Sequence, residues 1–271
     1  MSLAHELRQA ARARLRVSDK SSLTDQTFLE LAACWRNDPA CHALLQYRRL
    51  ITANQYRRLY ALVDQYLTPR SKVLDWGCGN GHVSYGLWRR GYAVTGFAFE
   101  DFGLRRHLDP TYELRTGSED DPSGLPFQAA TFDGVMSVGV LEHVRETGGN
   151  EAASLREIAR VLRPGGAFIC YHFPNQHSLI EALSRQNRSK HSHQYRYTRA
   201  DIESLCLGAE LELVEIRRYG ALPRNMWFRA PRALGDSSLV TGMWNGLDRI
   251  LGALLPRWTQ NYLFVARKPA S

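Results

Sequence analysis

Short apolar runs alternate with amphipathic stretches through most of the chain, which is the pattern of strands and helices that follow one another. Apolar positions 155, 158, 159 and 162 fall on one helical face, and this helix should end at the proline and glycines of residues 163–166. The alternation predicts an α/β fold with a parallel sheet, helices on both faces and ligands at the carboxyl edge. The predicted strands are residues 73–76, 91–100, 111–117, 132–144, 167–173, 210–219 and 261–268.

Two segments lie outside this regular alternation. The pattern of residues 1–70 predicts an N-terminal helical extension, and residues 71–271 are predicted to form the main domain. Residues 220–260 form an insertion between the sixth and seventh strands. Because the sixth strand should run parallel to the first five, the insertion should lie over the ligand edge. It suits either a lid that touches lipid or a folded cap, and its predicted helix carries one apolar stripe of Leu247, Ile250, Leu251 and Leu254.

A glycine-rich loop follows the first strand. It has the pattern D-x-G-x-G-x-G, and a helix is predicted directly after it. Glycine permits positive φ and brings bare backbone N–H groups against a ligand, while the helix N-terminus adds partial positive charge. A dinucleotide fingerprint would need its third glycine at His82, and the G-K-S/T of a P-loop is absent. The loop therefore predicts a nucleotide or anionic ligand held by Asp75, Gly77, Gly79 and Gly81.

Composition narrows the class of protein. The 271 residues are 44% apolar, which is enough for a full core. No apolar run is long enough to span a bilayer, and the arginine-rich N-terminus lacks the apolar segment of a signal peptide. The five cysteines form no C-x-x-C pair, and their odd number fits reduced thiols without disulfide or zinc. These features predict a cytoplasmic protein.

The net charge of +8 is unevenly distributed. Residues 1–72 carry 12 Lys and Arg against 6 Asp and Glu, residues 73–216 carry 14 against 19, and residues 217–271 carry 9 against 2. An acidic central domain therefore lies between two basic flanks, which favours an anionic partner.

Two later segments are similar to a known family. They are "LPFQAATFDGVMSVGVLEHV" (residues 125–144) and "LREIARVLRPGGAFI" (residues 155–169). Together with the glycine-rich loop they resemble the class I S-adenosylmethionine-dependent methyltransferases, type 11, over residues 70–219 and the last strand. The resemblance implies a Rossmann-like seven-stranded methyltransferase sheet, S-adenosylmethionine as cofactor and methyl transfer as activity.

The resemblance also implies which residues surround the cofactor. The family places an acid two residues after the glycine of the second strand, but here Ala98 stands there. Glu100 points to the same face of an extended strand and is the predicted ribose acceptor, with Asp101 as the alternative. Glu119 is the predicted acid on the adenine side. The remaining implied contacts are Asp75, Gly77, Cys78, Gly79 and Gly81 of the loop, with Val138 and Gly139 at the fourth strand.

Histidines supply the candidate general bases. His143 follows the fourth strand and His172 the fifth, so both should lie at the ligand edge. Each could act as base or instead be a structural residue. His191 and His193 lack an acidic or cysteine partner nearby in sequence, so no metal site is predicted. They are expected to contact substrate beside Tyr195 and Tyr197.

The charge distribution suggests the acceptor. We predict O-methylation of an anionic small molecule that is glycan-linked, lipid-linked or of the quinone type, with peripheral membrane contact by a cytoplasmic protein. RNA is a competing acceptor, because basic surfaces with interleaved aromatic residues also bind RNA. The D/N-P-P-Y/W tetrapeptide of amino-directed base methyltransferases is absent. Ala98 and Ser118, which replace acids, leave a cofactor-binding regulator without catalysis as a further alternative.

Overall fold

The computed structural model describes residues 17–117, 120–186 and 193–270. Its centre is a seven-stranded sheet with the order β3-β2-β1-β4-β5-β7-β6. This architecture confirms the predicted fold class. The strands are β1 (Lys72–Trp76), β2 (Ala93–Ala98), β3 (Glu113–Thr116), β4 (Phe132–Val138), β5 (Leu162–Pro174), β6 (Glu212–Tyr219) and β7 (Asn261–Arg267).

The strand directions place the ligand edge. Strands β1 to β5 pair in parallel, while β7 is antiparallel to both β5 and β6. Strand β6 is therefore parallel to the first five, as predicted. The strand order reverses between β1 and β4, and in open α/β sheets ligands bind at that switch point.

Helices cover both faces of the sheet and its carboxyl edge. A 3₁₀ helix at Leu141–Thr147 follows β4. The α-helices are α1 (Val17–Asn37), α2 (Leu50–Ala53), α3 (Arg57–Tyr66), α4 (His82–Arg89), α5 (Glu151–Val161), α6 (Leu179–Gln186), α7 (Arg199–Gly208), α8 (Arg232–Gly235) and α9 (Ser238–Leu254).

The N-terminal helices share a core with one face of the sheet. Apolar residues of α1, α3 and α4 pack against sheet residues such as Met136 and Ile169. The contact is close: a Cβ at Gly86 of α4 would lie 1.9 Å from the Tyr60 hydroxyl of α3. The guanidinium of Arg90 also stacks 3.9 Å from the Tyr60 ring centroid. Residues before β1 thus form part of the same packed unit as the sheet.

On the opposite face, the predicted apolar stripe of α5 is buried. Leu155 and Ile158 are fully covered and pack with Ile202 of α7. Helix α7 begins with the predicted capping box, in which the Thr198 hydroxyl accepts from the Asp201 N–H and Asp201 accepts from the Thr198 N–H.

Most strand boundaries agree with the prediction to within two residues, and two differ by more. The fourth strand ends at Val138, because Gly139 adopts φ +69° and turns the chain into the 3₁₀ helix. Strand β5 begins at Leu162, before the predicted turn, since Leu162 pairs with Phe132 and the ladder then shifts to Gly134 and Ala167. The predicted turn is therefore an irregularity within the strand, where Gly165 has φ +76°.

The insertion between β6 and β7 folds over the carboxyl edge and is tied to the N-terminal helices. The Arg49 guanidinium donates to the Ala230 carbonyl at 2.7 Å, and the Leu50 N–H donates to the Asp236 carboxylate at 3.0 Å. From the insertion, Arg224 donates back to the Ile51 carbonyl at 3.2 Å. The N-terminal segment and the insertion therefore form a common roof over the ligand edge.

Helix α9 of the insertion turns an apolar stripe toward solvent. Its exposed side chains follow helical spacing, and they are Leu239, Met243, Leu247, Ile250 and Leu254. Across the part of the chain that the structure describes, no helix is long and apolar enough to cross a bilayer.

Candidate cofactor and acceptor site

The glycine-rich loop has the backbone expected for a ligand cradle. Gly77, Gly79 and Gly81 have φ of +71°, +51° and +80°. A Cβ at Gly77 would lie 2.4 Å from the Val140 side chain, so close packing requires glycine there. A Cβ at Gly79 would have no neighbour nearer than the Gly77 carbonyl at 3.8 Å. The backbone at Gly79 therefore faces open space, where a ligand can approach it.

The loop leads into α4 without a side-chain cap. Gly81 is the N-cap residue, so the first amides of α4 lack a capping oxygen from it. Cys78 is buried, and its N–H donates to the Phe97 carbonyl at 3.0 Å. Burial raises the pKa of the Cys78 thiol, which remains protonated at neutral pH. Any contact of Cys78 with the cofactor would therefore involve a neutral group.

Asp75 lies beneath the loop. Its side chain is buried and accepts a hydrogen bond from the Ser84 hydroxyl of α4 at 2.6 Å. Ser84 in turn lies 3.0 Å from the Tyr112 hydroxyl. Burial raises the pKa of Asp75 to about 6, against the opposing effect of the Ser84 hydrogen bonds. Asp75 thus joins β1 to the helix that follows the loop, and its cofactor contact stays a prediction.

At the end of β2, the two candidate ribose acceptors occupy different positions. Both are exposed, but Asp101 lines a cavity of about 290 Å³ beside Gly79 and Asn80, and Glu100 is not among the residues lining it. Asp101 also accepts from Arg105 at 3.0 Å. The geometry therefore favours the alternative acceptor, Asp101. The predicted adenine-side acid, Glu119, lies outside the described residues.

Phe99 is a candidate cofactor residue that the sequence analysis missed. Its ring is 47% exposed at the end of β2, although large apolar side chains usually bury at such positions. A Cβ on Gly117, at the end of β3, would lie 2.6 Å from this ring. An exposed aromatic face can stack on a base. The signal in the sequence is the aromatic residue directly after Ala98.

A larger cavity of about 680 Å³ lies at the ends of β4 and β5. The N-terminal helices, the sheet edge and the insertion all contribute to its wall. Both predicted bases, His143 and His172, line it, as does Gly139. Val138 precedes Gly139 in β4 and is half-buried against the sheet core. The structure therefore brings Gly139 and both histidines to one cavity.

His172 is held in an unusual backbone conformation. Its φ is +68°, which is rare outside glycine and recurs at functional sites. The His172 backbone N–H donates to the Tyr219 hydroxyl, and Nδ1 lies 2.9 Å from the same oxygen. We assign the Tyr219 proton to Nδ1, which leaves the hydrogen of the ring on Nε2. Burial lowers the pKa of His172 to about 3, so the ring that lines the cavity is neutral.

The imidazole rings of His143 and His193 lie next to each other in the cavity wall. Their ring centroids are 5.4 Å apart. His143 Nδ1 lies 3.0 Å from the Glu146 carboxylate, and His193 Nδ1 lies 3.1 Å from the Glu181 carboxylate. Burial would lower the pKa of His193, but the hydrogen bond and charge of Glu181 raise it. The role of general base predicted for His143 stays a prediction. His191 lies outside the described residues.

Glu142 is a second residue that the sequence analysis missed. Its side chain is 2% exposed, and its Oε2 has no hydrogen-bond partner within the described structure. Burial raises the pKa of Glu142 to about 8. The only sequence signal was an acid directly before His143, and its burial depends on tertiary packing. Several buried side-chain atoms lack a partner within the described residues, but Glu142 also lines the cavity, so its Oε2 lies where a ligand could supply one.

Comparisons with known proteins agree with the fold and the loop. A family model described as a methyltransferase domain matches residues 74–170. A ubiquinone biosynthesis O-methyltransferase of Azoarcus sp. is 30% identical over 165 residues, which cover 54% of this chain and 66% of that protein. The mouse eEF1A lysine and N-terminal methyltransferase is 28% identical over 49% of this chain. The chain spans only 20% of that relative's length.

Solved structures share the fold at low sequence identity. A SAM-dependent methyltransferase from Archaeoglobus fulgidus has a TM-score of 0.52 and 18% identity, over 78% of this chain and 92% of that one. The cyclase SpnF has a TM-score of 0.53 and 17% identity, over 81% and 83%. Because one of these proteins is a cyclase, the fold by itself does not specify methyl transfer.

Replacing Asp75 by asparagine should stabilise the protein in a pH-dependent way. The folded-state pKa of about 6 lies above the unfolded value of about 3.9, so the native chain loses stability as pH rises through this interval. Asp75→Asn lacks this loss and should have a free energy of unfolding higher by about 1–3 kcal/mol at pH 7, with little difference near pH 4. Urea unfolding at several pH values measures this, with exposed Glu113→Gln as control. A difference that does not change with pH would contradict the assignment.

The ribose acceptor can be identified by paired substitutions. Asp101→Asn should weaken binding of S-adenosylhomocysteine by about 10- to 100-fold, because a charged acceptor is lost. Glu100→Gln should have little effect. Arg105→Gln removes the same surface ion pair while keeping Asp101, so it controls for that loss. Isothermal calorimetry measures all three, and the reverse ranking of the two acids would restore Glu100 as acceptor.

Proposed function

Since the chain belongs to the class I S-adenosylmethionine-dependent methyltransferases, we propose that it methylates an oxygen of an anionic, lipid-linked or glycan-linked acceptor. The observation that carries the proposal is the cavity of about 680 Å³ at the carboxyl edge of the sheet. Its wall joins Gly139, which lies next to the predicted cofactor position, to the basic N-terminal helices and the insertion. An acceptor bound there would be adjacent to the cofactor.

The chain's contribution to transfer is binding and alignment. When bound, S-adenosylmethionine supplies an electrophilic methyl group on a positively charged sulfur. The open backbone at Gly79 suits its amino-acid part, Asp101 the ribose hydroxyls and Phe99 the adenine face. Holding donor and acceptor in line is the main requirement of such a displacement, and it supplies much of the rate enhancement. The roof formed by the insertion and the N-terminal helices would exclude water.

The charges around the cavity support an anionic acceptor. Arg224 is occupied, because it donates to Asn245 at 2.7 Å and lies 3.6 Å from Asp248. Arg58 and Arg249 line the cavity from exposed positions, and the ion pairs of residues 17–117, 120–186 and 193–270 do not include them. The Arg58 guanidinium rests 5.5 Å from the Tyr219 ring centroid. These two cations are therefore available to an anionic group at the rim.

The exposed surface of the insertion supports the proposal that the acceptor is anchored in a membrane. The exposed apolar stripe of α9 suits a helix that lies in the interface of a bilayer, and Arg249, the one basic residue of this helix, is available to an anionic headgroup. Helix α9 also adjoins the cavity, because its residues Asn245, Asp248 and Arg249 line the cavity wall. A lipid-linked acceptor could thus reach the cavity while its chain stays in the membrane.

The relatives suggest different acceptors. The Azoarcus relative's name, ubiquinone biosynthesis O-methyltransferase, supports oxygen as the methylated atom. The mouse relative's name refers to lysine and an N-terminus, so a protein acceptor is a rival outcome. RNA and a cofactor-binding regulator without catalysis are the others. The chemical identity of the labelled product separates all four.

The direct experiment transfers labelled methyl from S-adenosylmethionine into an extract of the source cells. We expect label in the organic phase after partition. Gly79→Ala should abolish transfer, because its Cβ would occupy the open space at the loop while the positive φ costs only about 1–2 kcal/mol of stability. Label confined to protein or RNA would overturn the proposed acceptor class. No label together with no binding of S-adenosylhomocysteine would overturn the activity itself.

Membrane contact by α9 makes a separate prediction. Ile250→Asp with Leu254→Asp removes two exposed apolar side chains, each worth about 1.5–3 kcal/mol when buried in lipid. Retention by anionic liposomes at low salt should fall by on the order of 100-fold. Leu207→Asp, at an exposed leucine of α7, adds the same kind of negative charge outside the stripe and should retain binding. Equal retention of the double variant and the native chain would exclude this contact.

A further inference from the structure

Three potential metal ligands converge on the wall of the acceptor cavity. Glu142 and His143 come from the 3₁₀ helix after β4, and His193 comes from the segment before α7. Each offers one ligand atom, and these atoms lie within 4.8 Å of one another. All three residues line the cavity of about 680 Å³. The ligand atoms are therefore close enough for one ion to bind all three after small side-chain movements.

Carboxylates orient both imidazoles. Glu146 holds Nδ1 of His143, and Glu181 holds Nδ1 of His193. Glu181 is itself buried and also accepts from the His193 backbone N–H at 3.1 Å. A hydrogen at Nδ1 places the lone pair of a neutral ring on Nε2, which is the arrangement found for histidines that bind metal. Two independent carboxylate partners make this orientation a built feature.

Glu142 supplies an independent observation. Glu142 is 2% exposed, and its Oε2 has no partner within the described residues, although burying a polar atom without one is costly. An apolar residue of similar size would pack at this position without that cost. A cation beside the carboxylate would offset the cost.

We propose that Glu142, His143 and His193 bind a divalent first-row transition metal ion, with its open positions toward the acceptor cavity. Two imidazoles and one carboxylate suit Zn²⁺, Fe²⁺ or Mn²⁺ better than Mg²⁺ or Ca²⁺, which prefer oxygen ligands. Three protein ligands leave at least one position for water or substrate. The sequence predicted no metal site, because His191 and His193 have no acidic or cysteine partner nearby in sequence; Glu142 approaches His193 only in the folded chain.

A second cluster of potential ligands is a weaker candidate for a metal site. Cys34, Cys41 and His107 also bring ligand atoms within 4.8 Å of one another. However, His107 Nε2 already pairs with Asp38 at 2.9 Å. Burial and the charge of Asp38 raise the pKa of the Cys41 thiol to about 11, which disfavours the thiolate that a metal needs.

The position of the site suggests its use, and this step rests on the proposed methyl transfer. An ion on the cavity wall would bind oxygen atoms of an acceptor and lower the pKa of a hydroxyl, whose proton would pass to water. The ion would take over the role predicted for His172, whose Nδ1 accepts from the Tyr219 hydroxyl and whose pKa burial lowers to about 3. An acceptor with two adjacent oxygens would fit such an ion best.

Cobalt provides a direct probe of the site. The full-length protein is dialysed against EDTA and then titrated with Co²⁺, without S-adenosylmethionine or acceptor, while visible absorption is recorded. We expect ligand-field bands that saturate at one Co²⁺ per chain. Glu142→Gln and His143→Ala should each remove these bands, and Glu181→Gln should weaken binding by about 10- to 100-fold. Circular dichroism of the metal-free variants checks that they remain folded.

The matched control is His107→Ala, which disables the cysteine-containing cluster and should leave the bands unchanged. Sulfur ligation would also add charge-transfer absorption in the near ultraviolet, which nitrogen and oxygen ligands do not produce. Absence of bands, bands that survive both Glu142→Gln and His143→Ala, or bands lost with His107→Ala would overturn the site. Since binding is measured without cofactor or acceptor, failure of the methyl-transfer proposal would not alter this result.

Discussion

The antiparallel placement of β7 between β5 and β6 is the constraint on which the site depends. A strand in this direction must be entered from the carboxyl edge of its neighbours. The chain that connects β6 to β7 therefore stays at the ligand edge, and a long connection has no other place to fold. Residues 220–260 accordingly form the roof of the cavity, and Arg49 and Arg224 attach that roof to the N-terminal helices through backbone carbonyls. The two basic flanks thus supply much of the cavity wall, together with the ends of β4 and β5.

This division explains how a shared fold can serve different acceptors. The family model covers residues 74–170, which include the glycine-rich loop and the ends of β2 and β4. The cavity draws most of its polar wall from outside that range, from Arg58, His193 and Arg249 among others. On the proposed function, residues outside the matched range would determine the acceptor, while the matched part would hold the cofactor. Similarity confined to the cradle carries little information on the acceptor.

Local patterns were sufficient to predict most of the fold. The strands and α5 follow from periodic burial, and the start of α7 follows from the Thr198–Asp201 capping box, which involves neighbouring residues only. The end of β4 was misplaced because a single positive φ at Gly139 overrides an apolar run. In the site, the glycines and His143 and His172 could be placed at one edge from strand ends alone. The burial of Glu142, the exposure of Phe99 and the approach of His193 depend on contacts between distant segments, which periodicity does not encode.

The two buried acids of the site differ in how the free-energy cost of burying a carboxyl group is offset. Asp75 and Glu142 are both almost fully covered, and burial raises the pKa of each carboxyl. The Asp75 carboxyl group accepts a hydrogen bond from Ser84 of the same packed unit, so the fold itself supplies its partner. For Glu142 the chain leaves one oxygen without a donor but surrounds it with two imidazoles that carboxylates orient. A fold selected only for stability would replace such a group with an apolar one. A cation bound beside the open cavity, as proposed above, would offset the cost of burying the Glu142 oxygen.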